Sequence, residues 1–250
     1  MNREFVQEQF LELQSLYKRL SLEDRGEPNR ILIQGILDFS GKGKDQIIND
    51  SFEIEILVPE SFPCSAPSTK EVGGRIPDTF HHFDDGSLCL AAPLHIRLTF
   101  LENPTLLGYV QNLVIPYLFS FCYWKKCGKL PFGELSHGQK GIMEYYRELF
   151  TSGSDMVVIS LLKILAEDNY RGHHYCPCGS GKIIRQCHGE ILKRINKHQS
   201  REDFIDDYCR CLLYFKKSIK KIPPSLISPK VLHYLEQNQE ALRKKQETIY

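Results

Sequence analysis

The chain has 250 residues, of which 42% are hydrophobic, enough for one large core and a small second one and too many for a disordered chain. Its 32 Lys and Arg and 31 Asp and Glu leave a formal net charge of +1, which excludes a surface that neutralises many phosphates, so we expect no nucleic-acid partner. The nine cysteines cannot all pair, and the start lacks the apolar core of a signal peptide, so we expect a reducing, cytoplasmic location.

The first part of the chain shows the patterns of an α+β domain. One amphipathic helix is predicted by five apolar residues at three- and four-residue spacing, namely Val6, Phe10, Leu13, Tyr17 and Leu20. Alternation of apolar and polar residues at 31–39 and 52–58 predicts half-buried antiparallel strands, joined by a loop at 41–45. Four prolines between 59 and 85 predict an extended, loop-rich segment, and such segments often carry catalytic or binding residues.

The second part of the chain is predicted to be helical. The stretch from Leu106 to Trp124 has about the length of a membrane span, but Gln111, Asn112 and Pro116 interrupt it, so we expect a buried helix and no membrane. Further helices are predicted at about 141–150 and 157–165. The last two helices have recognisable starts, Ser200 with Asp203 as a capping box and Ser228 followed by Pro229.

A Cys/His segment, HHYCPCGSGKIIRQCH, spans residues 173–188. Two ligand pairs, Cys176 with Cys178 and Cys187 with His188, flank an eight-residue loop that contains two glycines. Thiolates and an imidazole suit zinc, and four protein ligands leave no open position, so the pattern predicts one structural Zn²⁺. The alternative is a chance cluster of reduced thiols.

Residues 176–188, CPCGSGKIIRQCH, resemble the SEC-C motif, a small zinc knuckle that is attached to many bacterial proteins. The resemblance implies zinc bound by the four residues named above. It also implies a docking surface for a protein or a ribosome, so it points to recruitment rather than to an activity.

A second candidate site is HHFDDGSLCLAAP, residues 81–93, in which Cys89 follows a glycine turn and lies downstream of two histidines and two aspartates. A cysteine nucleophile needs an exposed loop position, a partner for its proton and donors for the oxyanion, and this segment contains candidates for all three. The alternative is that Cys89, between Leu88 and Leu90, is a small apolar packing residue.

The order of these elements resembles the ubiquitin-conjugating enzymes, over roughly residues 1–150. Three groups of residues match the family: Phe62-Pro63 with Ala66-Pro67 after the third strand, Gly86, Leu88, Cys89 and Leu90 at the active site, and Asn103-Pro104-Thr105-Leu106 at the start of the next helix. The resemblance implies the ubiquitin-conjugating (UBC) fold, an antiparallel sheet with flanking helices. It also implies that Cys89 accepts an acyl group as a thioester.

The chain departs from the family just ahead of the cysteine, where the family has His-Pro-Asn and this chain has Thr79-Phe80-His81. His81 therefore takes the place of an asparagine that steadies the active-site loop and the oxyanion, and a histidine can donate one hydrogen bond to either. The loop at 130–138 resembles a glycine-punctuated loop of bacterial relatives, which makes His137 a second candidate active-site group. The alternative for His137 is a cap of the following helix.

We therefore predict four segments: a ubiquitin-conjugating-like domain at 1–150, a linker and short helix at 151–171, the SEC-C zinc motif at 172–190 and a basic helical tail at 191–250. The predicted catalytic residues are Cys89, His81 and His137. The fold class is α+β.

The resemblance implies that Cys89 takes the C-terminus of a ubiquitin-like protein, or of a nucleotidyltransferase that makes cyclic nucleotides, and passes it to a target amine. A separate activating enzyme is expected because the chain has no GxGxxG nucleotide-binding motif. Similar proteins occur in antiphage defence operons that signal through cyclic oligonucleotides, which implies a defence role. Two alternatives are a non-catalytic scaffold of the same fold and a SEC-C adaptor that recruits a protein client.

Overall fold

A computed structural model describes residues 2–24, 31–43, 47–77, 79–83, 85–131, 138–219 and 221–237. The chain forms two compact units, Met1–Leu135 and Ser136–Tyr250. The first unit combines helices with a four-stranded antiparallel sheet, and the described part of the second unit is mainly helical. The α+β class predicted from the sequence is confirmed.

The first unit begins with helix α1 (Arg3–Leu16), whose N-cap is Asn2, with its side chain accepting a hydrogen bond from the backbone N–H of Phe5. The predicted apolar stripe is buried at Val6, Phe10 and Leu13. The same spacing wrongly extended the helix to Leu20, which instead begins strand β1 (Leu20–Asp24) and is buried there.

The sheet has the order β1-β2-β3-β4 with every pair antiparallel. Strands β2 (Ile31–Lys42) and β3 (Ile47–Val58) are the two long strands that alternation predicted. The inward residues of β3 are all buried, namely Phe52, Ile54, Ile56 and Val58. The short strand β4 (Ser68–Glu71) lies in the segment that was predicted as loop, and the predicted loop at 41–45 falls partly outside the described residues.

Two helices complete the described part of the first unit. Helix α2 (Pro93–Glu102), which the sequence did not predict, has its proline in the first turn, where the missing N–H costs nothing. Helix α3 (Leu106–Cys127) is long and apolar enough to cross a membrane, but 72% of its most apolar window is buried inside the protein, as expected for a core helix. Within α3 a π-helical stretch, Val110–Val114, precedes Pro116, which cannot donate to the preceding turn.

The second unit contains α4 (Gly138–Leu149), α5 (Asp155–Ala166), α6 (Gly189–Asn196) and α7 (Arg201–Lys216), and a last helix begins at residue 229 and is described to residue 237. Both predicted helix starts are confirmed: the Ser200 hydroxyl accepts from the N–H of Asp203, and the Ser228 hydroxyl accepts from the N–H of Val231.

The sequence predicts a first domain that ends at residue 150, which would include helix α4. In the structure it packs against α7, and the compact units divide between residues 135 and 136. The physical reason is a contact distant in sequence, in which the buried Tyr146 of α4 donates a hydrogen bond of 2.7 Å to Asp207 of α7.

Asp207 is the centre of a buried polar cluster in the second unit. Its Oδ2 accepts hydrogen bonds of 2.7 Å from the Tyr146 hydroxyl and 2.7 Å from Nε2 of Gln199. Burial raises the pKa of Asp207 above its ordinary value of 3.8, although the two hydrogen bonds oppose this rise. The folded protein therefore holds this proton more tightly than the unfolded chain does.

We expect this carboxyl group to make the second unit less stable as the pH rises. Its contribution is fully present below 3.8 and is lost as the pH rises through the raised folded-state pKa. Asp207→Asn cannot ionise, so between pH 3.8 and the raised folded-state pKa its free energy of unfolding should decline less with pH, by up to about 1.4 kcal/mol per pH unit. Urea unfolding over a pH series measures this slope. Glu148→Gln, which changes an exposed carboxyl group of α4, is the control and should keep the wild-type slope.

Candidate functional site

The Cys89 segment folds as a short hairpin. Residues His82 and Leu88 form an antiparallel bridge, flanked by hydrogen bonds from the N–H of Phe83 to the Ser87 carbonyl at 2.8 Å and from the N–H of Cys89 to the His81 carbonyl at 2.7 Å. The turn between the two arms contains Gly86 with φ of 78°, a left-handed conformation that glycine adopts without strain. Cys89 therefore lies directly opposite His81.

Two hydrogen bonds close the turn of this hairpin, and two more join the hairpin to strand β4. The N–H and hydroxyl of Ser87 both donate to Oδ1 of Asp85, at 2.9 and 2.6 Å, and they lower the pKa of that carboxyl group. Nζ of Lys70 donates to the Asp85 carbonyl at 2.7 Å, and the N–H of Leu88 donates to the Thr69 carbonyl at 2.8 Å. The loop that carries Cys89 is therefore supported by the edge of the sheet.

Cys89 itself is half-buried, whereas its neighbour Leu88 is only 3% exposed and enters the core. The packing role is thus taken by Leu88, and the Cys89 thiol has the partial access that a nucleophile needs. Its Sγ lies 3.9 Å from the Ala91 carbonyl, and burial raises the pKa of the thiol above its ordinary value. Cys89 therefore remains a neutral thiol at neutral pH until a partner or a base removes its proton.

Of the two histidines predicted to act with Cys89, His81 and His137, the structure describes His81. His81 has φ of 53°, and its ring lies 4.4 Å, between centroids, from the ring of Phe80. His81 and Cys89 are brought together through the backbone hydrogen bond between them. His137 lies outside the described residues.

Tyr117 is a residue of this site that the sequence analysis did not single out. It is buried on α3, and its hydroxyl donates to the Phe80 carbonyl at 2.9 Å and the His81 carbonyl at 3.2 Å. Burial, and after it the charge of Glu71, raises the pKa of Tyr117, so the hydroxyl stays a donor. In the sequence, Tyr117 is one of many apolar and aromatic residues of a core helix, and no local pattern shows that it contacts the loop.

The Cys/His segment of the second unit folds back on itself as the sequence predicted. Tyr175 and Ile183 form an antiparallel bridge, and the N–H of Cys176 donates to the Lys182 carbonyl at 2.8 Å. Gly179 and Gly181 have φ of 77° and 74°, so both glycines of the loop occupy the left-handed region. This turn brings the two predicted ligand pairs together.

The four predicted metal ligands form one cluster, with all ligand atoms within 4.8 Å of one another. Nδ1 of His188 lies 3.2 Å from Sγ of Cys176 and 3.3 Å from Sγ of Cys187, and Sγ of Cys178 lies 3.4 Å from Sγ of Cys187. A tetrahedron with metal–sulfur bonds of about 2.3 Å has edges of about 3.8 Å, close to these separations. The cluster can therefore hold a metal ion.

The other nitrogen of His188 fixes the orientation of the ring. Nε2 donates a hydrogen bond of 3.0 Å to the carbonyl of Phe150, just after α4. Such a bond sets the tautomer and leaves Nδ1 as the lone-pair donor towards the thiol groups. All four ligands are thus arranged towards one point.

Comparisons of the chain with protein-family models, with curated proteins and with solved structures found no match. The functional conclusion therefore depends on two features of the chain. The first is a half-buried thiol on a loop anchored to a sheet and a core helix, and the second is a cluster of three thiols and one imidazole.

Proposed function

We propose that the protein is a ubiquitin-conjugating-like acyl carrier, in which Cys89 accepts the C-terminal carboxyl group of another protein as a thioester and passes it to a target amine. The observation that supports this most directly is the accessible Cys89 thiol on a loop that β4 and α3 hold in place. The succession of an N-terminal helix, a four-stranded antiparallel sheet, the cysteine loop and a long core helix agrees with the ubiquitin-conjugating resemblance.

The chemistry consists of two acyl transfers. In the first, the Cys89 sulfur forms a bond to the thioester carbonyl of an activated donor, the bond to the donor's thiol breaks, and the Cys89 proton passes to the departing thiolate. In the second, an amine forms the C–N bond, the C–S bond to Cys89 breaks, and a proton of the amine returns to the Cys89 sulfur. Neither step needs an oxidant or a metal, so positioning is the main task of the protein.

The environment of Cys89 suits a carrier of this kind. A thiol with a raised pKa gives a poorer leaving group than free cysteine does, which slows the loss of a bound acyl group to water or to stray amines. We therefore propose that the loop stores the thioester until the acceptor is in place. The donor would be a ubiquitin-like protein or the C-terminus of a nucleotidyltransferase, loaded by a separate activating enzyme in the reducing cytoplasm, and the setting would be bacterial antiphage defence.

We assign the Cys/His cluster one structural zinc ion, bound by Cys176, Cys178, Cys187 and His188. Three thiolates and one imidazole are ligands that favour zinc, and four protein ligands close the site to substrate. The zinc would supply folding energy to a segment with a small core and would take no part in the acyl transfers.

The test is a search for a thiol-sensitive adduct. The protein is incubated with ATP, an activating enzyme and a ubiquitin-like protein or nucleotidyltransferase encoded beside it, and is then analysed on gels with and without reductant. Wild type should give a higher-mass species that reductant removes, and Cys89→Ala should give none. Cys64→Ala, which removes an exposed thiol of the same unit, should behave as wild type. An adduct on Cys89→Ala, or none on wild type with any of these donors, contradicts the mechanism and favours the scaffold or adaptor role.

A further inference from the structure

The backbone of the Cys89 hairpin has an unusual conformation at its first residue. His81 has φ of 53°, in the left-handed region that side chains with a Cβ rarely adopt. A residue keeps such a conformation only where surrounding contacts determine it, and such residues concentrate at functional sites. The contacts that determine His81 are therefore of functional interest.

Two donors converge on the carbonyl of His81. One is the N–H of Cys89 at 2.7 Å, and the other is the hydroxyl of Tyr117 at 3.2 Å, which also lies 2.9 Å from the Phe80 carbonyl. The ring of Phe80 packs edge-on against the ring of Tyr117, with centroids 5.8 Å apart. A single buried side chain thus contacts both the first residue of the hairpin, His81, and the residue before it, Phe80.

We propose that Tyr117 is the positioning residue of the Cys89 loop, because its hydroxyl holds the carbonyls of Phe80 and His81 in the arrangement that presents Cys89 to an acyl donor. This inference rests on the proposed acyl-carrier function and deepens it. Tyr117 acts through the backbone, since its hydroxyl bonds to the carbonyl that also receives the Cys89 N–H.

The loss of this hydroxyl has a defined structural consequence. The Phe80 carbonyl loses this donor in a buried setting, where a carbonyl without a partner is unfavourable, and the His81 carbonyl keeps its bond from the Cys89 N–H. The left-handed His81 is then less firmly held, and the Cys89 side chain becomes more exposed on average. Chemical access to the thiol should therefore rise while its alignment for transfer is lost.

The test compares Tyr117→Phe with a matched control, Tyr109→Phe. Both residues are buried on α3, and each substitution removes one hydroxyl. The hydroxyl of Tyr109 bonds to the side-chain hydroxyl of Thr69 at 2.8 Å, whereas the loop bonds to the backbone carbonyl of Thr69. The probe is iodoacetamide, and Cys89 alkylation is followed by peptide mass spectrometry over a pH series. For Tyr117→Phe the rate at neutral pH should rise about threefold, equivalent to half a pKa unit, and the profile should shift to lower pH. Tyr109→Phe should keep the wild-type profile.

A transfer assay gives the second measurement. For Tyr117→Phe, kcat for thioester formation should fall about tenfold with KM little changed, because donor binding is intact and alignment is not. If wild type forms no thioester but the alkylation profiles still separate, the acyl-carrier function fails and the positioning role stands. If the alkylation profile of Tyr117→Phe coincides with those of wild type and Tyr109→Phe, the positioning role is overturned.

A second variant tests whether Tyr117 acts through the backbone of His81. His81→Gly places at this position a residue that adopts the left-handed region freely. Adding Tyr117→Phe to His81→Gly should then change Cys89 alkylation less than it does in wild type. An equal change in both backgrounds would show that Tyr117 does not act through the His81 backbone.

Discussion

Replacement of Cys187 by Ser is expected to remove bound zinc from the protein and to unfold the Cys/His segment. Cys187 lies close to two of the other three candidate ligands, since its Sγ is 3.4 Å from Cys178 Sγ and 3.3 Å from His188 Nδ1. In the described segment 172–188 only Cys176 and Ile184 are buried, so apolar packing there is small. Zinc binding to small closed sites is worth about 10–16 kcal/mol, far more than this packing can replace.

The measurement combines metal analysis with thermal unfolding. Wild type should contain about one zinc per chain, which Cys187→Ser should lose together with part of its thermal stability. Cys209→Ser removes a half-buried thiol of α7 outside the cluster and should keep the zinc. A chelator should reproduce the effect of Cys187→Ser on the wild type. Zinc retained at the wild-type level in Cys187→Ser, or absent from the purified wild type, would contradict the assignment.

Gly35→Ala is expected to destabilise the first unit by at least about 3 kcal/mol. Gly35 lies in the middle of the sheet, paired with Leu20 of β1 and Ile54 of β3, and has φ of 134°. A Cβ at this position would collide with the carbonyl oxygen of Arg19, a backbone atom that cannot move without breaking the pairing of β1. Conformational strain and steric overlap therefore add at the same residue.

The control for this prediction is Gly74→Ala. Gly74 also has a positive φ, of 69°, but a Cβ there meets nothing within 4 Å, so the cost should be about 1 kcal/mol from backbone strain alone. Urea unfolding of the two variants and wild type, followed by circular dichroism, gives both values. Equal destabilisation by the two substitutions would show that the collision with Arg19 is relieved by movement of the strand.

The long elements were predictable from sequence because their periodicity extends over many residues. Strands β2 and β3 have 12 residues each, enough for alternation to be seen, whereas β4 has four. Strand β1 was missed because Leu20 continues, by coincidence, the helical spacing of α1. The position of a short strand depends on the strand that pairs with it. The pairing of Leu20 with Gly35 cannot be read from the sequence pattern around Leu20.

The two candidate sites also differ in how far apart their contacting residues lie in the sequence. The cluster of candidate metal ligands was predictable because the four residues lie within 13 positions and the glycines between them fit the turn. Tyr117 contacts residues 36 and 37 positions away, and its side chain belongs to a helix that is apolar on most faces. Its role follows only from the packing of α3 against the loop. The assignment of α4 failed for a related reason, since its partner Asp207 lies 61 residues from Tyr146.

The hydrogen bond from the Cys89 N–H to the His81 carbonyl, at 2.7 Å, also has a consequence for the dynamics of the hairpin. A backbone proton held in this way exchanges with deuterium only when the two arms separate, so its exchange rate measures how often the loop opens. A donor protein that needs an open loop would wait for these openings, and one that binds the closed loop would suppress them. Deuterium uptake at this single amide, with and without a donor, therefore distinguishes selection of an open state from capture of the closed one.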